Sequence, residues 1–434
     1  MKNISQYNQR VNNVILLPVL LLCMISVSFG GNLSLKQAVY TGLAKNPGLT
    51  QIWKRYEALK EIPSQVKSLP DPIVNIGLIN LPTNTFDIAQ EPMTNVQIGF
   101  SQYFPYPDKL DLKGEIAEFE ARTAFHTVGE VRLLLISHIE STWWQVYYFD
   151  RALETIDNNQ VLLRQFIRIA EEKYKTGQGL QQDVLLAQLA LSKLLDQEIQ
   201  VKAFRRNQSI NLNLLMGKKA SKQIKLGKKR IKSLSHKMNE KYLYRLAVDY
   251  RPSLKREESK VLAATSRLSL ARKGYYPDFN VAVSYADRRG YNPGIFNDAR
   301  SDLFSLKVGI KIPLYYKTKQ SRAVQQRFIE QQESYASMED EKLKVMAEIS
   351  KNYTDYNKAK KQLLLFRTGI LPQARQTVES MRSGYQVSKV DFLNLIQSQV
   401  TLYNYELMYW KALTVSMQAL SGIKANVGEV NIYE

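Results

Sequence analysis

The sequence predicts a mixed α and β membrane protein. It is built as two tandem repeats, each giving two transmembrane β-strands and two long coiled-coil helices. Three observations predict this: landmarks that recur about two hundred residues apart, four runs that alternate apolar and polar side chains, and helix-permitting stretches too long for a compact core.

The recurrence sets the frame. Asn46-Pro47 with Leu49 returns as Arg251-Pro252 with Leu254, 205 residues on. Pro70-Asp71 returns as Pro277-Asp278 at 207. Phe104-Pro105 and Lys109 return as Ile312-Pro313 and Lys317 at 208, and Tyr174 and Gln188 as Tyr385 and Gln399 at 211. The order is kept and the offset drifts by only six residues. Such a unit far exceeds a solenoid repeat, so it reads as a duplicated half-subunit. The halves span 31–237 and 238–434. Each carries a short helical region, two strands, a long helix, a tight turn and a second long helix.

Residues 1–30 read as a secretory signal peptide. Lys2 and Arg10 form the positive region, Val14 to Val27 is almost wholly apolar, and Ser28 and Gly30 suit a cleavage site. The apolar run is shorter than the ~20 residues a spanning helix needs. Cys23, the single cysteine, falls inside this segment behind Leu22, so the processed chain holds no disulfide framework. No later segment is apolar for 18 residues and mean hydropathy is −0.31, which excludes a helical membrane protein. A β-barrel stays open, because alternating strands average to mild hydropathy.

The strand runs are expected at about 71–81, 95–104, 278–287 and 303–312. In the second, Val96, Ile98 and Phe100 face one way and Gln97, Gly99 and Ser101 the other. In the third, Val281 and Val283 share a side with Phe279 and Tyr285. In the fourth, Leu306, Val308 and Ile310 oppose Ser305, Lys307 and Gly309. Period two makes one face apolar, and about ten residues suffice to cross a bilayer as a tilted strand. Aromatics gather at the run ends, at Tyr103, Phe104, Tyr106, Tyr275 and Tyr276. An ordinary sandwich sheet is the alternative, although the apolar sides carry no charge. Four strands cannot close a membrane sheet, whose edges would leave backbone groups unpaired in hydrocarbon. Two chains would give eight strands with a filled interior, three would give twelve with room for a pore.

From Asp111 to Thr176 the only glycines are Gly114 and Gly129, and no proline occurs. That permits ~100 Å of helix. The hairpins are expected over about 111–215 and 317–420. In the second, Pro372 should kink or break the helix near Gly369. Leu180, Val184, Ala187, Leu191, Leu194 and Val201 form a heptad-like seam, echoed by Leu395, Ser398, Leu402, Tyr405, Tyr409 and Ala412. A soluble four-helix bundle would explain the seam but not the strands.

These pieces resemble the TolC-type outer-membrane efflux family along the whole processed chain. The likeness is carried by "LSLKQAVYTGLAKNPGL" (Leu33 to Leu49), by the tip "YKTGQGLQQDVLLAQ" (Tyr174 to Gln188), and by "DFLNLIQSQ" (Asp391 to Gln399). "DPIVNIGLINLP" (Asp71 to Pro82) and "EPMTNVQIGFSQYFPYPDK" (Glu91 to Lys109) resemble the branch that serves heavy-metal cation pumps. The resemblance implies a homotrimer in the outer membrane of a Gram-negative bacterium, extending into the periplasm. It implies a 12-strand β-barrel and a 12-helix α-barrel, a periplasmic adaptor, and an inner-membrane pump of the resistance-nodulation-division type. Cargo, metal cations on this reading, would pass unchanged. Drug or detergent efflux and type I secretion are the alternatives, and a non-channel coiled coil is a remote one.

In relatives, acidic residues just past the tip narrow the periplasmic mouth. Asp183 matches; Asn394 and Gln397 stand where acids are expected, and Asp391 lies nearby out of register. The amides keep hydrogen bonding but lose charge, which weakens the expected cation selectivity. A first-turn carboxylate also simply suits a helix N-terminus. Gly177, Gly179, Leu180, Ser388 and Lys389 would dock the partner, or simply build the turns.

The chain carries 60 Lys and Arg against 40 Asp and Glu, net +20. Beside Glu and Asp on long helices such charge reads as solvated faces, and a secreted chain rarely meets nucleic acid. His126, His138 and His236 have no metal-ligand spacing, and no nucleophile motif or phosphate loop occurs. No enzyme activity and no cofactor are expected.

Overall fold

The computed structural model describes residues 32–227, 238–295 and 297–428. The signal-type segment with Cys23, and His236, lie outside the described residues. Three short helices open the chain, α1 (Leu35–Lys45), α2 (Pro47–Lys60) and α3 (Ile62–Lys67). Strands β1 (Ile73–Ile79) and β2 (Asn95–Phe104) follow, then α4 (Lys109–Lys175) and α5 (Gln181–Leu215). The order returns as α6 (Glu240–Tyr250), α7 (Pro252–Lys273), β3 (Asp278–Asp287) and β4 (Leu303–Lys311). Last come α8 (Gln320–Leu365), a π-helical turn (Phe366–Ile370), α9 (Leu371–Gln386) and α10 (Phe392–Val427).

Local signals set these boundaries. Ser34 and Gln37 form a reciprocal capping box at the start of α1. Asn46 stops α1 and caps α2, with Pro47 in the first turn. β1 is shorter than its alternating run, because Pro70, Pro72 and Pro82 bracket it and Asn80 takes φ +55°. α4 runs unbroken for 67 residues, ~100 Å at 1.5 Å per residue. Its counterpart is interrupted. Pro372 has no N–H to donate one turn back, and the chain takes a π turn containing Gly369 just before it. α10 runs to Val427, past the expected end near 420, and stops where Gly428 turns left-handed at φ +83°.

The helices bury three apolar clusters. One gathers Trp143, Trp144 and Tyr147 of α4 with Ala38, Leu212, Met216, Leu402 and Leu413. A second, toward the helix tips, joins Leu163 and Phe166 to Ala187, Leu194, Tyr385 and Leu395. The third packs Val345, Ile349 and Tyr356 on Leu243, Ile423 and Val427. The seam positions Val184, Leu191 and Val201 line the second cluster, and Tyr405 and Tyr409 the first.

The four strands form one antiparallel sheet in the order β1-β2-β3-β4, with β1 and β4 as its edges. The β2–β3 pair joins the two halves.

Candidate functional site

Two regions carry the candidate residues: the sheet and the helix tips. Strand register turns the separate alternations into a continuous face. Ile76, Ile98, Tyr285 and Phe304 lie in one cross-strand row, and Val74, Phe100, Val283 and Leu306 in the next. Val281 pairs with Val308, and Phe279 with Ile310. Ile98, Phe100, Leu306, Val308 and Ile310 are exposed on the protomer, Val308 by 63%, while Val96, Val281 and Val283 are half-buried. A single protomer thus leaves a wide apolar patch open, the mark of an interaction or membrane surface.

The opposite face is polar. Asn75, Gly99, Ser284 and Ser305 form one row, with Lys307 and Lys311 further along β4. Lys311 pairs in register with Asp278, whose carboxylate accepts from Lys109 Nζ at 2.7 Å and Tyr103 Oη at 2.6 Å. At this helix end of the sheet Tyr106 stacks on Tyr276 at 4.5 Å, with Lys273 Nζ over both rings. At the other end Arg300, buried, donates to the carbonyls of Ala89, Glu91 and Arg289, tying the β3–β4 loop to the β1–β2 loop.

The tips repeat one closure with different residues. Gln178 N donates to Lys173 O at 2.8 Å, and Lys389 N to Gly384 O at 2.8 Å. The left-handed residue is Gly177 (φ +72°) in the first turn and Ser388 (φ +59°) in the second. Gly179 sits where a Cβ would lie 2.9 Å from Lys173 Cβ, and Gly384 where one would lie 2.6 Å from Val390 Cγ2. Residues 173 and 384 are equivalent, as are 179 and 390, so each turn needs one glycine of the pair and the halves choose opposite members. Gly177, Leu180, Ser388 and Lys389 are exposed and Gly179 is half-buried.

The two tips are bonded to each other. Lys173 Nζ donates to Ser388 Oγ at 2.7 Å and lies 5.0 Å from the Tyr385 ring centre. The Tyr385 hydroxyl donates to Asp183 Oδ2 at 3.2 Å, and its ring packs on Phe392 at 4.9 Å. Burial and the Asp183 charge push the phenol well above its ordinary pKa, so it stays a donor. Asp391, Asn394 and Gln397 are exposed at the start of α10, with no side-chain bond to Asp183. Of the four constriction candidates, only Asp183 is engaged within the protomer. In the sequence Tyr385 is legible only as a repeat landmark, because its partner lies 202 residues away.

Further along, the residue before each proline reaches the end of its return helix. Asn46 Nδ2 donates to Leu215 O at 2.9 Å, and the Arg251 guanidinium donates to Ala425 O. Arg251 also pairs with Glu130 at 2.6 Å, both side chains buried. Burial pushes the Glu130 carboxyl up and the Arg251 guanidinium down, each against the pull of its partner. Gly217 (φ +64°) and Gly428 close the same joints: a Cβ would lie 2.2 Å from Lys45 O and 2.5 Å from Tyr250 O, respectively.

Among the described residues no group of three or more His, Cys, Asp or Glu could hold a metal ion, and no helix is long and apolar enough to cross a membrane.

A sheet of alternating strands joined to helical hairpins of this length defines the TolC-type channel fold. The solved outer-membrane channel OprN shares it at TM-score 0.77 with 16% identity, covering 91% of this chain and 89% of that one. CusC, described through its folding and transmembrane channel formation, shares it at 0.77 with 15% identity, covering 91% and 92%. VceC of Vibrio cholerae shares it at 0.75 with 14% identity, covering 91% and 96%. No curated protein sequence matches. Residues 243–429, the second half of the chain, match the family model described as outer membrane efflux protein.

Proposed function

We propose that three copies of this chain form a passive exit duct of a tripartite efflux system. The observation that carries this is the sheet: one face apolar apart from Asp287 at the end of β3, two open edges, and helices of ~100 Å leaving one end. Open edges are untenable in hydrocarbon, and three sheets supply twelve strands. Val96, Ile98, Phe100, Val281, Val283, Leu306, Val308 and Ile310 then face lipid. The two halves act as repeats, each giving two staves and one helical hairpin to a 12-helix periplasmic barrel.

The tips at Gly177, Gly179, Leu180, Ser388 and Lys389 would meet a periplasmic adaptor, and Asp183, Asp391, Asn394 and Gln397 would surround the mouth. Metal cations are the favoured cargo, on the segments Asp71 to Pro82 and Glu91 to Lys109. A drug or detergent cargo is the second reading. It is favoured by Lys307 and Lys311 on the polar strand face and by amides at 394 and 397, which suit free cations poorly.

Outer membranes extracted in detergent should yield an SDS-resistant trimer; a soluble monomer would refute the duct. A deletion strain should then be compared with its parent on copper, zinc, cobalt and silver salts, and on dyes, bile salts and antibiotics. Selective metal sensitivity supports the first cargo, and dye and detergent sensitivity the second.

A further inference from the structure

Basic and acidic residues are not mixed everywhere. Residues 199–239 contain twelve Lys and Arg and no Asp or Glu. Elsewhere exposed lysines pair with carboxylates one helical turn away, as in Lys54–Glu57, Lys175–Glu172 and Lys351–Glu348. Among the described residues, Lys45, Lys218, Lys219, Lys222 and Lys225 make no ion pair.

The backbone that displays them is fixed. Gly217 packs on Lys45 O, Asn213 Nδ2 donates to Lys222 O at 2.7 Å, and Leu33 N donates to Lys225 O at 2.7 Å. Ile224 is buried, and Arg205, paired with Asp150, donates to its carbonyl at 3.0 Å. Lys219, Lys222 and Lys225 remain exposed, and Lys218 is half-buried. Burial, then the charges of Lys222 and Lys45, hold the Lys218 ammonium below its ordinary pKa, so the cations are close enough to repel. Cations at the ends of α1 and α5 favour the helix dipoles, but Lys222 and Lys225 lie beyond the last turn. Like charges gathered on a pinned segment without counter-ions suit a polyanion.

Height along the molecule selects which polyanion. The segment packs beside Trp143, whose indole donates to Leu33 O at 3.2 Å. Trp143 lies roughly 50 Å down α4 from the sheet, at 1.5 Å per residue. Attraction to lipid headgroups is screened within about 10 Å.

We infer that Lys45, Lys218, Lys219, Lys222 and Lys225 form a docking patch for the cell-wall polymer, binding the free carboxylates of peptidoglycan peptide stems. This rests on the reading that α4 descends from the outer membrane into the periplasm.

The test is co-sedimentation of the purified full-length trimer with isolated peptidoglycan sacculi. The wild type should pellet, less at high salt. The quadruple variant Lys218→Gln, Lys219→Gln, Lys222→Gln, Lys225→Gln should lose on the order of tenfold in apparent affinity, from four exposed charge contacts. The matching four-arginine variant should keep binding, and amidated sacculi should not be bound. Each protein is first shown to run as an SDS-resistant trimer and to conduct in planar bilayers, so failure of the channel reading appears there. Equal pelleting of wild type and quadruple glutamine variant would overturn the inference. So would wild-type binding to anionic phospholipid vesicles but not to sacculi.

Discussion

The two halves solve the same joint with different chemistry. In the first, Asn46 caps α2 and its neutral amide reaches the last carbonyl of α5. In the second, the equivalent Arg251 reaches the end of α10 and, being charged and buried, requires Glu130 of α4. The glycines beside these joints match, Gly217 and Gly428, and each leaves no room for a Cβ. The halves therefore keep contact positions while exchanging residues. The first joint is neutral and stays within its own half; the second ties its half into α4 of the other. The long helices differ likewise: α4 is continuous, whereas its counterpart is divided by a π turn before Pro372.

The sheet offers the largest test of equivalence. Ile98 in the first half and Val308 in the second are placed on the same apolar face. Ile98→Lys and Val308→Lys should each abolish trimer recovery, at ~2–4 kcal/mol per midplane charge in every subunit. Normal trimer yield from either would overturn the lipid-facing assignment for its half.

The proline joints should break unequally. Arg251→Ala strands the buried Glu130 carboxylate and should cost ~3–5 kcal/mol. Asn46→Ala removes a neutral cap and should cost ~1–2 kcal/mol. Heat dissociation of the trimer reads both. Adding Glu130→Leu to Arg251→Ala should recover part of the loss, since no unpaired charge remains. Equal midpoints for the two single variants would mean that the second joint gains nothing from its charge.

Matching glycines should break equally. Gly217→Ala and Gly428→Ala each force a Cβ onto a carbonyl oxygen at positive φ, at about 1–3 kcal/mol. A large loss at one and none at the other would show that only one half depends on this closure.

What the sequence disclosed follows from the range of the signal. Alternation and helix length are local, so the strand faces and the unbroken α4 were readable, as was the interruption near Gly369 from Pro372 alone. Arg251–Glu130 spans 121 positions and Tyr385–Asp183 spans 202, and no local pattern encodes such pairings. Gly217 and Gly428 did leave a trace, since each follows the last apolar turn of a return helix at a repeat offset of 211. The reading of Lys and Arg as lying beside Glu and Asp on solvated helix faces does not hold at 199–239, which contains no acid.

The smallest expected effect is at the tips, where the halves meet. The Tyr385 hydroxyl donates a hydrogen bond to Asp183, so the link needs an acceptor at 183 but not a charge. Tyr385→Phe and Asp183→Ala should raise single-channel conductance in planar bilayers to a similar degree. Each removes one hydrogen bond, worth on the order of 1 kcal/mol, or about fivefold in the closed-to-open ratio. Asp183→Asn should raise it less, because the amide oxygen still accepts. If Asp183 instead acts through charge at the mouth, Asp183→Asn will shift the cation-to-anion permeability ratio and Tyr385→Phe will leave that ratio alone. The link and the charge are thus separable: conductance reports the bond between the halves, and the reversal potential in a salt gradient reports the ring.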